Sequence, residues 1–147
     1  MPARREGLVP VGADLTEAEL ITWGEALGRA LDAPAFLTLT GDLGAGKTTL
    51  AAAILRGAGV TDPVTSPTYA VVHRYTAASG RPVHHADLYR LRGPHELAAI
   101  GWEELLASPG LVLVEWPERA GDLLPGDHRA ITIEHLPGDP TRRRVTA

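Results

Sequence analysis

Apolar residues recur along the chain with two periods, and the switches between them predict an alternating order of helices and strands. Leu20, Trp23, Leu27 and Leu31 share one face of a helical repeat that runs to about residue 32. Thr16 with Glu19 matches a capping box, so Asp14-Leu15-Thr16 is predicted to open this helix. Ala35 to Thr40 is a short apolar and β-branched run, the pattern of a buried strand. From Lys47 to Arg56 the period is helical again, with Leu50, Ala51, Ile54 and Leu55 on one side and Gly57 and Gly59 closing the segment. Tyr69 to Tyr75 and Pro82 to Leu88 read as two strands of a hairpin joined through Ala77-Ala78-Ser79-Gly80. Pro94 to Leu106 is predicted helical with a break at Gly101, and Leu111 to Val114 is a continuous apolar strand that ends on Glu115. Arg129 to His135 and Arg142 to Thr146 flank a proline- and glycine-rich turn and predict an antiparallel hairpin at the sheet edge. Leu8 to Val11 suits a short edge strand, since Pro10 argues against a central one.

Composition narrows this picture. At 147 residues the chain reads as one domain, residues 1–147, able to bury roughly two-thirds of its unfolded surface around a single core. A net charge of −4 gives no support for a nucleic-acid-binding face, which would be basic. The one basic run, Arg142-Arg143-Arg144, reads as a solvated strand end before it reads as an RNA contact. There are no cysteines, so disulfides and thiolate metal sites are excluded. No apolar run approaches the length of a membrane span, and the charged start lacks the apolar stretch of a signal peptide. A soluble cytoplasmic protein is expected.

The chemistry concentrates between the first apolar strand and the second helix. Gly41 to Thr49 reads GDLGAGKTT and satisfies G-x-x-x-x-G-K-[ST] through Gly41, Gly46, Lys47 and Thr48. A glycine-rich turn leaving a strand lets consecutive backbone N–H groups surround a phosphate, and the following helix aims its positive end at the same anion. Asp42, Leu43, Gly44, Ala45, Gly46, Lys47, Thr48 and Thr49 are therefore the expected phosphate-binding stretch. Lys47 would reach the β- and γ-phosphates, and the Thr48 hydroxyl would ligate Mg²⁺. Lys47 is the only lysine; the other thirteen basic residues are arginine. A compact ammonium on a flexible stem suits a phosphate cradle in a way the planar arginine fork does not. The fold class that follows is α/β, a three-layer P-loop NTPase with a mixed β-sheet and antiparallel edge strands.

Further acids and hydroxyls fall at strand ends. Glu115 closes four apolar residues in the Walker B manner, where a carboxylate completes an Mg²⁺ shell directly or through water; alternatively it is a partly exposed strand-end acid. Asp87 ends its strand and could hold Mg²⁺ or the attacking water, pair with Arg90, or cap the helix that begins near Pro94. Val64 to Tyr69, with Pro67 among hydroxyl residues, is either a γ-phosphate sensor or an ordinary connector. His73, His84 and His85 lie on the hairpin strands; as strand neighbours, His84 and His85 point to opposite faces and do not share a metal.

Four blocks now stand in order: GDLGAGKTT (41–49), SPTY (66–69), DLYRL (87–91) and VEWPER (114–119). Together they resemble the bacterial TsaE family, also called YjeE, of small P-loop ATPases, over nearly the whole chain. The resemblance implies a role in threonylcarbamoylation of adenosine 37 in tRNAs that read codons beginning with A. It implies that the loop from Asp42 to Thr49 binds ATP, that Thr48 and Glu115 hold Mg²⁺, that Lys47, Asp87 and Glu115 serve hydrolysis, and that Thr65 to Thr68 form a switch-like segment. It places Trp116 beside the site. It also implies two partners, a threonylcarbamoyl transferase subunit and that subunit's paralogous partner, with tRNA met only through the complex.

The residues agree from their own side. A guanine reader of the N-K-x-D kind needs a second lysine, which the chain lacks, so GTP is disfavoured. About thirty residues follow Glu115, little for the lid and acceptor pocket of a nucleoside kinase. No arginine finger is assigned; Arg90, Arg92 and Arg119 are candidates in cis, and slow turnover without a partner is expected. A small-molecule or nucleoside kinase and a nucleotide-sensing regulatory module are the competing readings. Lys47 is expected outside the core, so that its loss would cut nucleotide use and spare the fold.

Overall fold

The computed structural model describes residues 12–42, 44–62 and 71–147. Seven strands form one sheet: β1 (Ala13–Thr16), β2 (Ala35–Thr40), β3 (Val72–Thr76), β4 (Pro82–Asp87), β5 (Leu111–Glu115), β6 (Arg129–Leu136) and β7 (Asp139–Thr146). Their spatial order is β1-β7-β6-β2-β5-β4-β3. The inner four, β6-β2-β5-β4, run parallel, whereas β3 joins β4, β7 joins β6 and β1 joins β7 antiparallel. The sheet is mixed with antiparallel edges, as its strand patterns predict.

Helix α1 (Glu17–Ala30) starts on the capping box: the Glu19 amide donates to Thr16 Oγ1 at 3.2 Å and the Thr16 amide to Glu19 Oε1 at 2.9 Å. Asp14 and Leu15 do not open this helix. They belong to β1, opposite Arg144 and Arg143, and the Asp14 carboxylate takes both Arg144 Nε and Nη2 at 2.8 and 3.2 Å. That pairing moves the C-terminal hairpin in from the sheet edge, which β1 occupies instead. Leu8 to Val11 lies outside the described residues. The predicted break at Gly101 is present: Pro94–Ile100 is a 3₁₀ turn, Gly101 takes φ 80°, and α3 (Trp102–Leu106) follows.

Strand alternation sorts the core into two layers. On one face Leu37, Leu39, Leu113, Ile131 and Ile133 pack under α1 and α2 (Lys47–Gly57), which contribute Leu20, Leu27, Leu50 and Ile54. The two helices touch closely at Gly28, where a Cβ would come 2.0 Å from the Ile54 carbonyl oxygen. On the other face Ala86, Val112 and Val114 meet Leu88, Leu97, Trp102 and Leu105, with Phe36 edge-on to Trp102 at 5.9 Å. The result is three layers, helix, sheet and short helices. Among the described residues no helix is long and apolar enough to cross a membrane.

Candidate functional site

Three parallel strands end side by side, and the ends of β2, β4 and β5 open onto one cleft, the position where ligands bind in open α/β sheets. From β2 the chain turns through Gly41 and Asp42 into α2. Gly46 sits at the helix N-cap with φ 107°, a left-handed conformation that a glycine adopts without steric penalty. Among the described residues no side chain caps this helix, so its first amides are left for an acceptor from outside.

Lys47 is the first residue of α2, and its ammonium turns back to the loop. Nζ donates to the Gly41 carbonyl and, at 3.0 Å, to the Asp42 carbonyl. The same ammonium lies 4.3 Å from the centre of the Trp116 ring, a cation–π contact. Contrary to the sequence expectation, Lys47 is buried, 6% exposed. The aromatic ring and the loop carbonyls together enclose it. Trp116 reaches this place through a left-handed backbone, φ 58° and ψ 51°, which costs about 1–2 kcal/mol in a non-glycine residue. Its ring is also packed on Tyr89, centroids 4.9 Å apart.

Two carboxylates face the ammonium across the cleft. Asp87 and Glu115 are register partners on β4 and β5, so they stand side by side on the same face of the sheet. Asp87 accepts the Tyr89 amide at 3.0 Å; it does not cap the turn at Pro94, whose N-cap is Gly93. Burial raises the Asp87 carboxyl above its ordinary range, and the neighbouring Glu115 adds to this, against the Tyr89 amide, His85 and Lys47. Glu115 is 2% exposed, and its Oε2 lies 2.6 Å from Nε2 of His85, which is wholly buried. This bond joins a strand-end acid to a histidine two residues before Asp87, and the pattern of apolar runs gave no sign of it. His84 does point to the opposite face, where burial pushes its pKa down.

The cleft has a volume of about 400 Å³, with Thr48 and Thr49 on its helix side. A second recess of about 270 Å³ adjoins it past Gly46 and Thr49 and is floored by Leu20 and Thr141. Arg143 lines both. Its Nε donates to the Ala45 carbonyl at 3.1 Å and its Nη1 to the Pro140 and Arg142 carbonyls at 3.0 Å. The basic run is therefore not uniform: Arg142 and Arg144 meet Asp139 and Asp14, while Arg143 turns inward with Val145. Strand alternation carries that distinction in the sequence. Among the described residues Arg143 lines the cleft, whereas the arginine-finger candidates Arg90, Arg92 and Arg119 do not. Leu43 and Thr65 to Thr68 lie outside the described residues.

The donor set is hydroxyl and carboxylate oxygen, which suits a hard cation such as Mg²⁺. Among the described residues no three His, Cys, Asp or Glu side chains converge to hold an ion alone. An ion here would need oxygens from a ligand, the arrangement in which Mg²⁺ is shared between one or two carboxylates and phosphates.

Residues 15–145 match the family model described as threonylcarbamoyl adenosine biosynthesis protein TsaE. The chain is 44% identical over 101 residues to the tRNA threonylcarbamoyladenosine biosynthesis protein TsaE of Nostoc sp., a match covering 65% of this chain and 60% of that protein. With the protein of the same description from Haemophilus influenzae it shares 41% identity over 97 residues, 66% of this chain and 61% of the relative. The match thus spans about three-fifths of either relative's length. The crystal structure of Bacillus subtilis YdiB superposes with a TM-score of 0.70 at 28% identity, covering 93% of this chain and 86% of that one.

Proposed function

The chain belongs to the TsaE family, and from that premise we propose that it is a Mg²⁺-dependent ATP-binding and ATP-hydrolysing subunit that supports formation of threonylcarbamoyladenosine at position 37 of tRNAs reading codons that begin with A. The observation that carries the reading is the juxtaposition at the cleft: an ammonium on loop carbonyls at an uncapped helix start, opposite two carboxylates in register.

In this reading the amides from Gly44 to Thr49 bind the β-phosphate, and Lys47 exchanges its carbonyl contacts for phosphate oxygens. Thr48 and Glu115 hold the metal, which when bound neutralises charge developing on the phosphates. Asp87, with its carboxyl pushed up by burial, accepts a hydrogen bond from the attacking water and orients it. The second recess, floored by Leu20 and bordered by Glu17 and Thr141, has room for the nucleoside beside the loop. Arg143, tied to the loop at Ala45, keeps a fixed positive charge between the two spaces. The partners are a threonylcarbamoyl transferase subunit and its paralogous partner, the complex acts in the cytoplasm, and tRNA is met only through it.

Steady-state phosphate release from Mg-ATP, alone and with the purified transferase pair, tests this. Slow release that rises on adding the pair and falls to background in Lys47→Ala is the expected result. Transfer of phosphate to an acceptor other than water would replace the reading with a kinase, and modification that persists in Glu115→Gln without turnover would replace it with a nucleotide sensor.

A further inference from the structure

We propose that His85 is a positioning residue for Glu115, fixing that carboxylate so that one oxygen is committed to the imidazole and the other is left for the cleft. This rests on the reading of the cleft as a Mg-nucleotide site.

The sheet dictates the contact. His85 and Asp87 are two apart on β4 and so share a face. His85 stands opposite Leu113 in the parallel register with β5, which makes Glu115 its diagonal neighbour, within reach of a long side chain. The bond is 2.6 Å between groups 0% and 2% exposed. An ionised carboxylate only accepts, so Nε2 carries the proton and donates to Oε2. Among the described residues no other hydrogen-bond donor to the Glu115 carboxylate is present. Yet on the same strand as His85, directly opposite Glu115, stands Asp87, a like group. A buried carboxylate without a donor is costly and would turn toward the Lys47 ammonium or away from the cleft. With Oε2 held by the ring, that rotation is blocked. Outer partners of this kind alter metal affinity or activity about 10–100-fold when removed. His85 Nδ1 is buried and has no partner among the described residues, so within them the ring is anchored through this one polar contact.

Three variants test the assignment: His85→Phe keeps the ring volume and removes the donor, His85→Gln keeps an amide donor near the Nε2 position, and Glu115→Leu removes the acceptor. Calorimetric titration with ADP, with and without Mg²⁺, reads metal coupling without turnover. The expected result is Mg-free affinity within twofold of wild type in His85→Phe, Mg²⁺ enhancement of binding reduced about tenfold or more, and recovery of most of it in His85→Gln. In turnover, kcat should fall with KM for ATP little changed. By NMR, a slowly exchanging imidazole N–H should be present in the wild type and lost in Glu115→Leu. Normal Mg²⁺ coupling in a folded His85→Phe would overturn the proposal while leaving the nucleotide site standing. Absence of Mg²⁺ coupling in the wild type itself would instead sink the underlying reading. If His85→Phe does not fold, a His85→Gln protein with Mg²⁺ coupling as low as that of Glu115→Leu would refute the positioning role.

Discussion

His84 and His85 are consecutive on β4 and have opposite surroundings. His85 faces the α1–α2 layer, where it meets Glu115 and stands beside Asp87 on the strand. His84 faces the layer of Trp102 and Leu105, near Arg74 and Glu104. The same contrast extends across β5, where Leu111, Leu113 and Glu115 face one way and Val112 and Val114 the other. One face of the sheet ends in charge and the other is closed by aromatic and aliphatic packing. A strand's two-residue period therefore separates the proposed site from the packed core at single-residue resolution, and substitutions on the two faces should fail in different ways.

The largest contrast is between Lys47 and Trp102. Lys47→Ala should reduce Mg-ATP turnover by about 10² or more, in line with loss of one charge-stabilising donor, with only a small change in thermal unfolding. Trp102→Ala should do the reverse. Loss of a large buried aromatic costs about 3–5 kcal/mol, while nucleotide affinity per folded molecule stays near wild type. Equal loss of stability in both would dissolve the distinction between the faces.

Asp87→Asn sharpens it further, because turnover and stability should move in opposite directions. Loss of the water-orienting role proposed for Asp87 should lower kcat by about 10²-fold or more. The folded-state pKa of Asp87 is raised, mainly by burial. The native state therefore binds more protons than the unfolded chain in the window above the ordinary carboxylate value, and Asp87 costs stability as pH rises through it. The Asn variant should melt slightly higher at neutral pH, by a few degrees at most since solvent screens this half-buried group, and should lose less stability between acid and neutral pH. Circular-dichroism melts across pH measure both. The smallest effect is expected at the far edge of the sheet. Arg144→Ala breaks an exposed pair with Asp14, and both Tm and turnover should stay within measurement error.

What the sequence made legible follows from how local each signal is. The loop from Gly41 to Thr49 is contiguous, and the phosphate chemistry proposed for it needs only backbone amides and one lysine, so it can be read from spacing. The capping box at Thr16 and the break at Gly101 are equally local. The edge position of β1 was not legible, because Asp14 and Leu15 carry helix-start and strand signals at once and the outer side of β7 decides between them. The burial of Lys47 depends on Trp116 folding back over it, a contact across sixty-nine residues. His85 needed the register of two strands, known only once β4 and β5 are side by side. Arg143 was hidden within a run of three arginines until pairing showed which one turned inward.

The central claim is that the charged face binds a Mg-nucleotide through Lys47. Isothermal titration of wild type and Lys47→Ala with a non-hydrolysable ATP analogue in Mg²⁺ tests it most directly. The account predicts saturable one-to-one binding by the wild type that weakens at least tenfold in the variant, with unfolding curves for the two proteins close together. Equal affinity in both proteins, or no binding in either while both are folded, would contradict it.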